Sequence, residues 1–119
     1  MDRLPLKALK DRGVRLTANP SANLLVARHA WVLAWAIARQ LPQACQRQNA
    51  GQWDNLFDWP PLPRHAMVFG YGTIGAEIAR LLHQDGIEVH VTVRQPRAAA
   101  ADPHVSAFYT DQTWRDVLP

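Results

Sequence analysis

Apolar positions along the chain follow three different rhythms, and each rhythm predicts a different element. From Leu24 to Leu41 nearly every residue is apolar, with Arg28, His29, Arg39 and Gln40 as the exceptions. This predicts one long helix over about residues 22–49, apolar almost all round and so in need of cover on most of its circumference. Ala66-Met67-Val68-Phe69 is a short unbroken apolar run, the pattern of a buried parallel strand. Ile74, Ile78, Leu81 and Leu82 then recur at helical spacing, and Gly86 supplies a stop. Ile87, Val89, Val91 and Val93 alternate with Glu88, His90 and Thr92, which is strand period. A third strand is expected over Val105 to Tyr109, and a further helix begins near Thr113.

The flanking segments are less regular. Leu4, Leu6, Ala8 and Leu9 precede Gly13 and the alternating Val14-Arg15-Leu16-Thr17, which predicts a helix end, a glycine cap and a short strand. Asn19-Pro20-Ser21 breaks this block from the long helix. Residues 50–65 hold Gly51, Pro60, Pro61 and Pro63, with Trp53, Phe57 and Trp59 between them. The prolines forbid regular structure there, and the aromatics are expected to pin the linker onto the domain.

Composition narrows the class. With 119 residues and 48% hydrophobic positions the chain has enough apolar material for one domain with a modest core. Its single cysteine, Cys45, excludes a disulfide framework and suits a reducing, cytoplasmic setting. The net charge of +3 is spread from Arg3 to Arg115, so it does not point to nucleic acid. The longest apolar run, Ala30 to Ala38, is far short of the roughly 18 residues that cross a bilayer. His29, His65, His83, His90 and His104 show no H-x-H or H-x-x-x-H spacing, so no metal site is expected. Trp31 and Trp35 share one helical stripe and read as core or interface.

Chemistry enters between the first strand and its helix. Gly70-Tyr71-Gly72-Thr73-Ile74-Gly75 is a complete G-x-G-x-x-G, set after a predicted strand and before a predicted helix. Gly70 makes the turn, Gly72 admits a pyrophosphate close to the backbone, and Gly75 lets the helix pack on the sheet. The N–H groups around Thr73 and Ile74 then offer the positive end of a helix to the phosphates. The predicted fold is α/β: a partial Rossmann βαβ dinucleotide-binding unit behind a long apolar helix, part of a doubly wound sheet. An NAD site normally has an acidic residue about 20 positions on. Here that place holds Val93 and Arg94, followed by Gln95-Pro96-Arg97. Arg94 and Arg97 suit a 2′-phosphate, which favours NADP(H) over NAD(H).

Several blocks together resemble the D-isomer-specific 2-hydroxyacid dehydrogenases: residues 13–19 (GVRLTAN), 26–30 (VARHA), 51–53 (GQW) and 68–75 (VFGYGTIG), in that order and spacing. Residues 93–97 (VRQPR) are similar to the NADPH-using glyoxylate/hydroxypyruvate reductase branch. Arg28 departs from the glutamate the family usually carries after Val-Ala. The resemblance implies two Rossmann-like domains and a homodimer formed through the long helix. On this reading residues 1–20 are a remnant of the substrate domain, 21–49 the interdomain and dimerisation helix, 50–63 the linker, and 64–119 the first half of the NAD(P)-binding domain. The remainder of the substrate domain would precede residue 1, and the family's catalytic Arg, Glu and His would follow residue 119. No catalytic residue is therefore carried over. The cofactor site would comprise Gly70, Tyr71, Gly72, Thr73, Ile74, Gly75, Arg94 and Arg97.

The implied activity of the full enzyme is hydride transfer between NADP(H) and a small 2-keto or 2-hydroxy acid, with no nucleic-acid or membrane partner. A non-catalytic nucleotide-binding or dimerisation module is the alternative, because the chain is expected to lack the acid/base group that protonates the substrate oxygen.

Overall fold

A computed structural model describes residues 5–17, 19, 21–53, 61–95, 102–110 and 112–117. Three parallel strands form its centre: β1 (His65–Phe69), β2 (Glu88–Thr92) and β3 (Ala107–Tyr109), in the order β1-β2-β3. The register sets His65 opposite Glu88, Val68 opposite Val91 and Thr92 opposite Tyr109. These are the three strands the sequence predicts, the third shorter than expected, and their order is the 3-2-1 of a doubly wound first half.

Among the described residues four α-helices accompany them: α1 (Leu6–Asp11), α2 (Ser21–Ala38), α3 (Leu41–Asn49) and α4 (Thr73–Gln84), with a 3-10 turn over Trp114–Val117. The helix α4 joins β1 to β2 and lies against the sheet. Gly75, Ala79 and Leu82 form its buried stripe, while Ile74, Ile78 and Leu81 are half-buried beside it. Small residues occupy the line of closest approach because a larger side chain would hold the helix off the strands. Val68, Val89, Val91, Val93, Ile87 and Val105 complete the core.

The long helix and the first short strand differ from expectation. The predicted single helix over 22–49 is two helices, broken at Arg39–Gln40, with Gln40 left-handed at φ 51°. Pro42 explains the break. It has no N–H to donate to Ala38, and its ring would strike that carbonyl in a continuing helix. At the start of α3 the missing N–H costs nothing. The predicted strand Val14–Thr17 is also absent: these residues are exposed and belong to no sheet. Gly13 does take the left-handed cap, at φ 68°, so the helix end was legible but its continuation had no strand to pair with.

The long apolar helix finds cover on one stripe only. Ala27 is fully buried, and Trp31 and Trp35 pack onto the core. Both indole N–H groups donate to one carboxylate oxygen of Asp85, at 2.6 and 2.7 Å, just past the end of α4. The two tryptophans therefore belong to an intrachain contact. Leu25, Val32, Leu33 and Ile37 face outward, with Leu25 69% and Ile37 71% exposed. The radius of gyration, 19.2 Å, exceeds the about 13–14 Å of a compact chain of this length. Trp53 is 98% exposed, so it does not pin the linker onto the domain. Phe57 and Trp59 fall outside the described residues.

Candidate functional site

The glycine turn follows directly from where β1 ends. Gly70 has φ +93°, a conformation that side-chain-bearing residues avoid. Its N–H is held by Thr92, through both the carbonyl (3.2 Å) and the hydroxyl (3.1 Å), so the ends of β1 and β2 are tied together. A Cβ on Gly75 would come within 2.0 Å of the Gly70 carbonyl oxygen, so only glycine lets α4 start this close to the turn. Gly72 is different. It caps α4 with extended backbone, and a Cβ there would meet nothing within 4 Å. The chain itself places no steric demand on Gly72, whereas a ligand brought against the backbone would.

Because the cap residue has no side chain, it satisfies none of the first N–H groups of α4. Those of Thr73 and Ile74 are at the positive end of a 12-residue helix whose axis leads away from the turn. The turn opens into a cleft of about 700 Å³ at the carboxyl ends of the strands. Tyr71, Gly72, Thr92 and Arg94 all line it. Thus the structure brings Arg94 to the same cleft as the glycine turn, as the spacing predicts. Arg97 lies outside the described residues.

Tyr71 has a second employment that the sequence does not reveal. Its hydroxyl donates to the Asp102 carboxylate, and its ring meets Phe108 edge-on at 5.2 Å. Asp102 also accepts the backbone N–H of His104 at 2.8 Å, the usual turn-forming bond of an Asp two residues back. The segment entering β3 is thereby moored to the glycine turn. The Tyr71 hydroxyl, and after it the His104 N–H, holds the Asp102 carboxyl below its ordinary value of 3.8. A depressed carboxyl stabilises the fold above its unfolded-state value, and that contribution disappears as pH falls through the folded-state one. Asp102→Asn is therefore expected to lower stability at neutral pH by at most about 1 kcal/mol after solvent screening. Urea midpoints of the two chains should converge as pH drops below 3.8; a gap that persists unchanged into acid would deny the carboxylate this role.

On α4, Glu77 pairs with Arg80 at 2.6 Å, and this bond first, with added attraction from Arg80 and Arg28, keeps the Glu77 carboxyl below its ordinary range. Arg28 thus sits where its charge favours Glu77. A glutamate in its place would set like charges together.

Known proteins share this region of the chain. The family model for the D-isomer specific 2-hydroxyacid dehydrogenase, NAD binding domain, matches residues 31–117, which take in the whole sheet and the glycine turn. The chain belongs to that family. Within the D-isomer specific 2-hydroxyacid dehydrogenases it is 32% identical over 103 residues to D-3-phosphoglycerate dehydrogenase 3, chloroplastic, of Arabidopsis thaliana, covering 84% of this chain and 17% of that protein. It is 29% identical over 115 residues to D-3-phosphoglycerate dehydrogenase of Archaeoglobus fulgidus, covering 94% and 20%. Among solved structures, it resembles the NADPH-dependent glyoxylate/hydroxypyruvate reductase of Sinorhizobium meliloti in complex with NADP and malonate. There the TM-score is 0.67 and the identity 29%, over 92% of this chain and 35% of that one. The chain spans about a fifth of the length of these curated relatives. The partial parallel sheet with its helices is the Rossmann-like NAD-binding fold of this dehydrogenase family. Among the described residues no helix is long and apolar enough to cross a membrane.

Proposed function

We propose that this chain supplies the NADP(H)-binding part of a cytoplasmic oxidoreductase of the glyoxylate/hydroxypyruvate reductase branch, which transfers a hydride between NADP(H) and a small 2-keto or 2-hydroxy acid. The supporting observation is the cleft shared by the glycine turn and Arg94. The backbone of Gly70 to Gly75 would receive the pyrophosphate, with the N–H groups of Thr73 and Ile74 directed at it. Arg94, joined by Arg97, would pair with the 2′-phosphate. The open space beside Gly72 fits a dinucleotide, because it is the position where a side chain would stand between backbone and ligand. When bound, the cofactor supplies the hydride, and the chain's residues bind and orient it.

On this reading residues 64–119 are the first half of the cofactor domain and 50–63 a linker. Residues 21–49 join domains and dimerise through the outward face of α2, and 1–20 belong to the substrate domain. The exposed Leu25, Val32 and Ile37 support that face as the dimer contact.

Gly72→Ala tests the site itself. The backbone there is ordinary and the added methyl meets nothing, so the unfolding free energy should stay within about 0.5 kcal/mol of that of the unaltered chain. NADPH affinity, followed by the nucleotide's fluorescence, should fall at least tenfold. Undiminished binding by Gly72→Ala would remove the glycine turn from the cofactor site.

A further inference from the structure

The linear spacing of the histidines predicts no metal site, but the strand register assembles one group that spacing alone cannot show. His65 opens β1, and the parallel pairing sets it directly opposite Glu88 at the start of β2. His90 follows Glu88 by two residues, so strand alternation puts it on the same face. The three side chains converge. Nδ1 of His65 lies 3.4 Å from one oxygen of Glu88, and Nε2 of His90 lies 3.4 Å from the other. One donor atom from each residue falls within 4.8 Å of the other two.

We propose that His65, Glu88 and His90 bind one divalent transition cation of the zinc class, bridging β1 and β2 at the opposite end of the strands from the nucleotide cleft. The spacing carries the first part of the argument. Ligands at about 2.0–2.1 Å in a tetrahedron around zinc stand about 3.4 Å apart; each imidazole lies at that separation from one or the other oxygen of Glu88, and with one donor atom per residue the three fall within 4.8 Å. The donor set carries the second. Two imidazoles and a carboxylate are borderline ligands that suit zinc, cobalt and nickel better than magnesium or calcium, and their single negative charge suits a dication. The third part is the support behind His90. The Tyr109 hydroxyl on β3 lies 3.3 Å from His90 Nδ1, the nitrogen that faces away from Glu88. With the proton on Nδ1 directed to Tyr109, the lone pair of Nε2 points at the cation, the arrangement that orients metal-bound histidines.

Exposure grades across the site in the same sense. The His90 side chain is 14% exposed and fixed, while His65 is 65% and Glu88 51% exposed. His65 therefore has room for the small rotation that closes the group around an ion, and solvent completes the fourth position. Three protein ligands plus water is an open zinc coordination. Here it would also act as a staple between neighbouring strands.

Calorimetric titration of the chelator-treated chain with zinc chloride tests this directly. One equivalent should bind, and zinc should raise the thermal midpoint, because a ligand held by the folded state alone stabilises it. Glu88→Gln and His90→Gln should each weaken binding at least 100-fold, and Tyr109→Phe by about 10–100-fold as an outer partner. Cys45→Ser and His83→Ala should bind as the unaltered chain does. Glu88 is half exposed, so Glu88→Gln remains folded, and circular dichroism verifies this for each variant. The proposal is overturned if the unaltered chain takes up no zinc at millimolar concentration. It is equally overturned if stoichiometric binding survives Glu88→Gln, or is lost in Cys45→Ser or His83→Ala.

Discussion

Arg94→Asp is expected to reverse the cofactor preference of the chain, from NADPH in the unaltered protein to NADH in the variant. Arg94 lies at the end of β2 and lines the cleft into which the glycine turn opens. A dinucleotide whose pyrophosphate sits on α4 carries its adenosine ribose toward this strand end. A guanidinium there can fork around a phosphate dianion, whereas a carboxylate accepts bonds from a ribose 2′-hydroxyl and repels the phosphate. One charge-assisted hydrogen bond contributes about 1.5–3 kcal/mol, which corresponds to roughly 10–150-fold in affinity. NADPH should therefore bind more tightly than NADH by about that factor. Competitive titration of both nucleotides against both chains measures the preference at each end. Equal affinities in the unaltered chain would detach Arg94 from cofactor selection.

The largest stability effect is expected at Gly75. A methyl there would sit 2.0 Å from the Gly70 carbonyl oxygen and 3.1 Å from its carbon. Both are backbone atoms, and Gly70 is itself held to Thr92 at the end of β2, so no side chain can swing aside. The first turn of α4 must lift from the strand, which opens the contact between Gly75 and Val68 below it. Overpacking of this kind costs about 3 kcal/mol, the upper part of its usual range, because the strain is in the main chain. Urea denaturation of Gly75→Ala against the unaltered chain gives the number. A loss no greater than that of Gly72→Ala would mean that α4 rides more loosely on the turn than its geometry implies. The pair of substitutions also separates two positions in one turn: a Cβ at Gly75 collides with the fold, and a Cβ at Gly72 meets none of it.

Local rules account for much of what the sequence predicts correctly. The alternation in β2, the apolar run of β1 and the glycine turn between them are each governed by residues a few positions apart, and the βαβ order follows from them. Arg94 could be placed at the cleft because one strand and one helix set its distance from the turn. The failures have equally physical causes. The apolar pattern of residues 24–41 says nothing of the helix break, which the missing N–H and the ring of Pro42 decide. The Tyr71–Asp102, Trp31–Asp85 and His65–Glu88 contacts join residues far apart in the chain. They depend on strand register and helix packing, which no periodicity encodes. Asp102-Pro103 did carry a hint, since Asp before a strand is a turn former, but its partner could not be read without the fold.

The carboxylate shared by Trp31 and Trp35 makes α4 a rod held at both ends. Its 12 residues span about 18 Å, from the first N–H groups near Thr73 to Asp85. Three turns of helix are too stiff to absorb a tilt along their length. The end of α4 remote from the glycine turn is thereby tied to α2. The outward row of Leu25, Val32 and Ile37 stands on the helix that this tie holds, although none of the three lines the cleft.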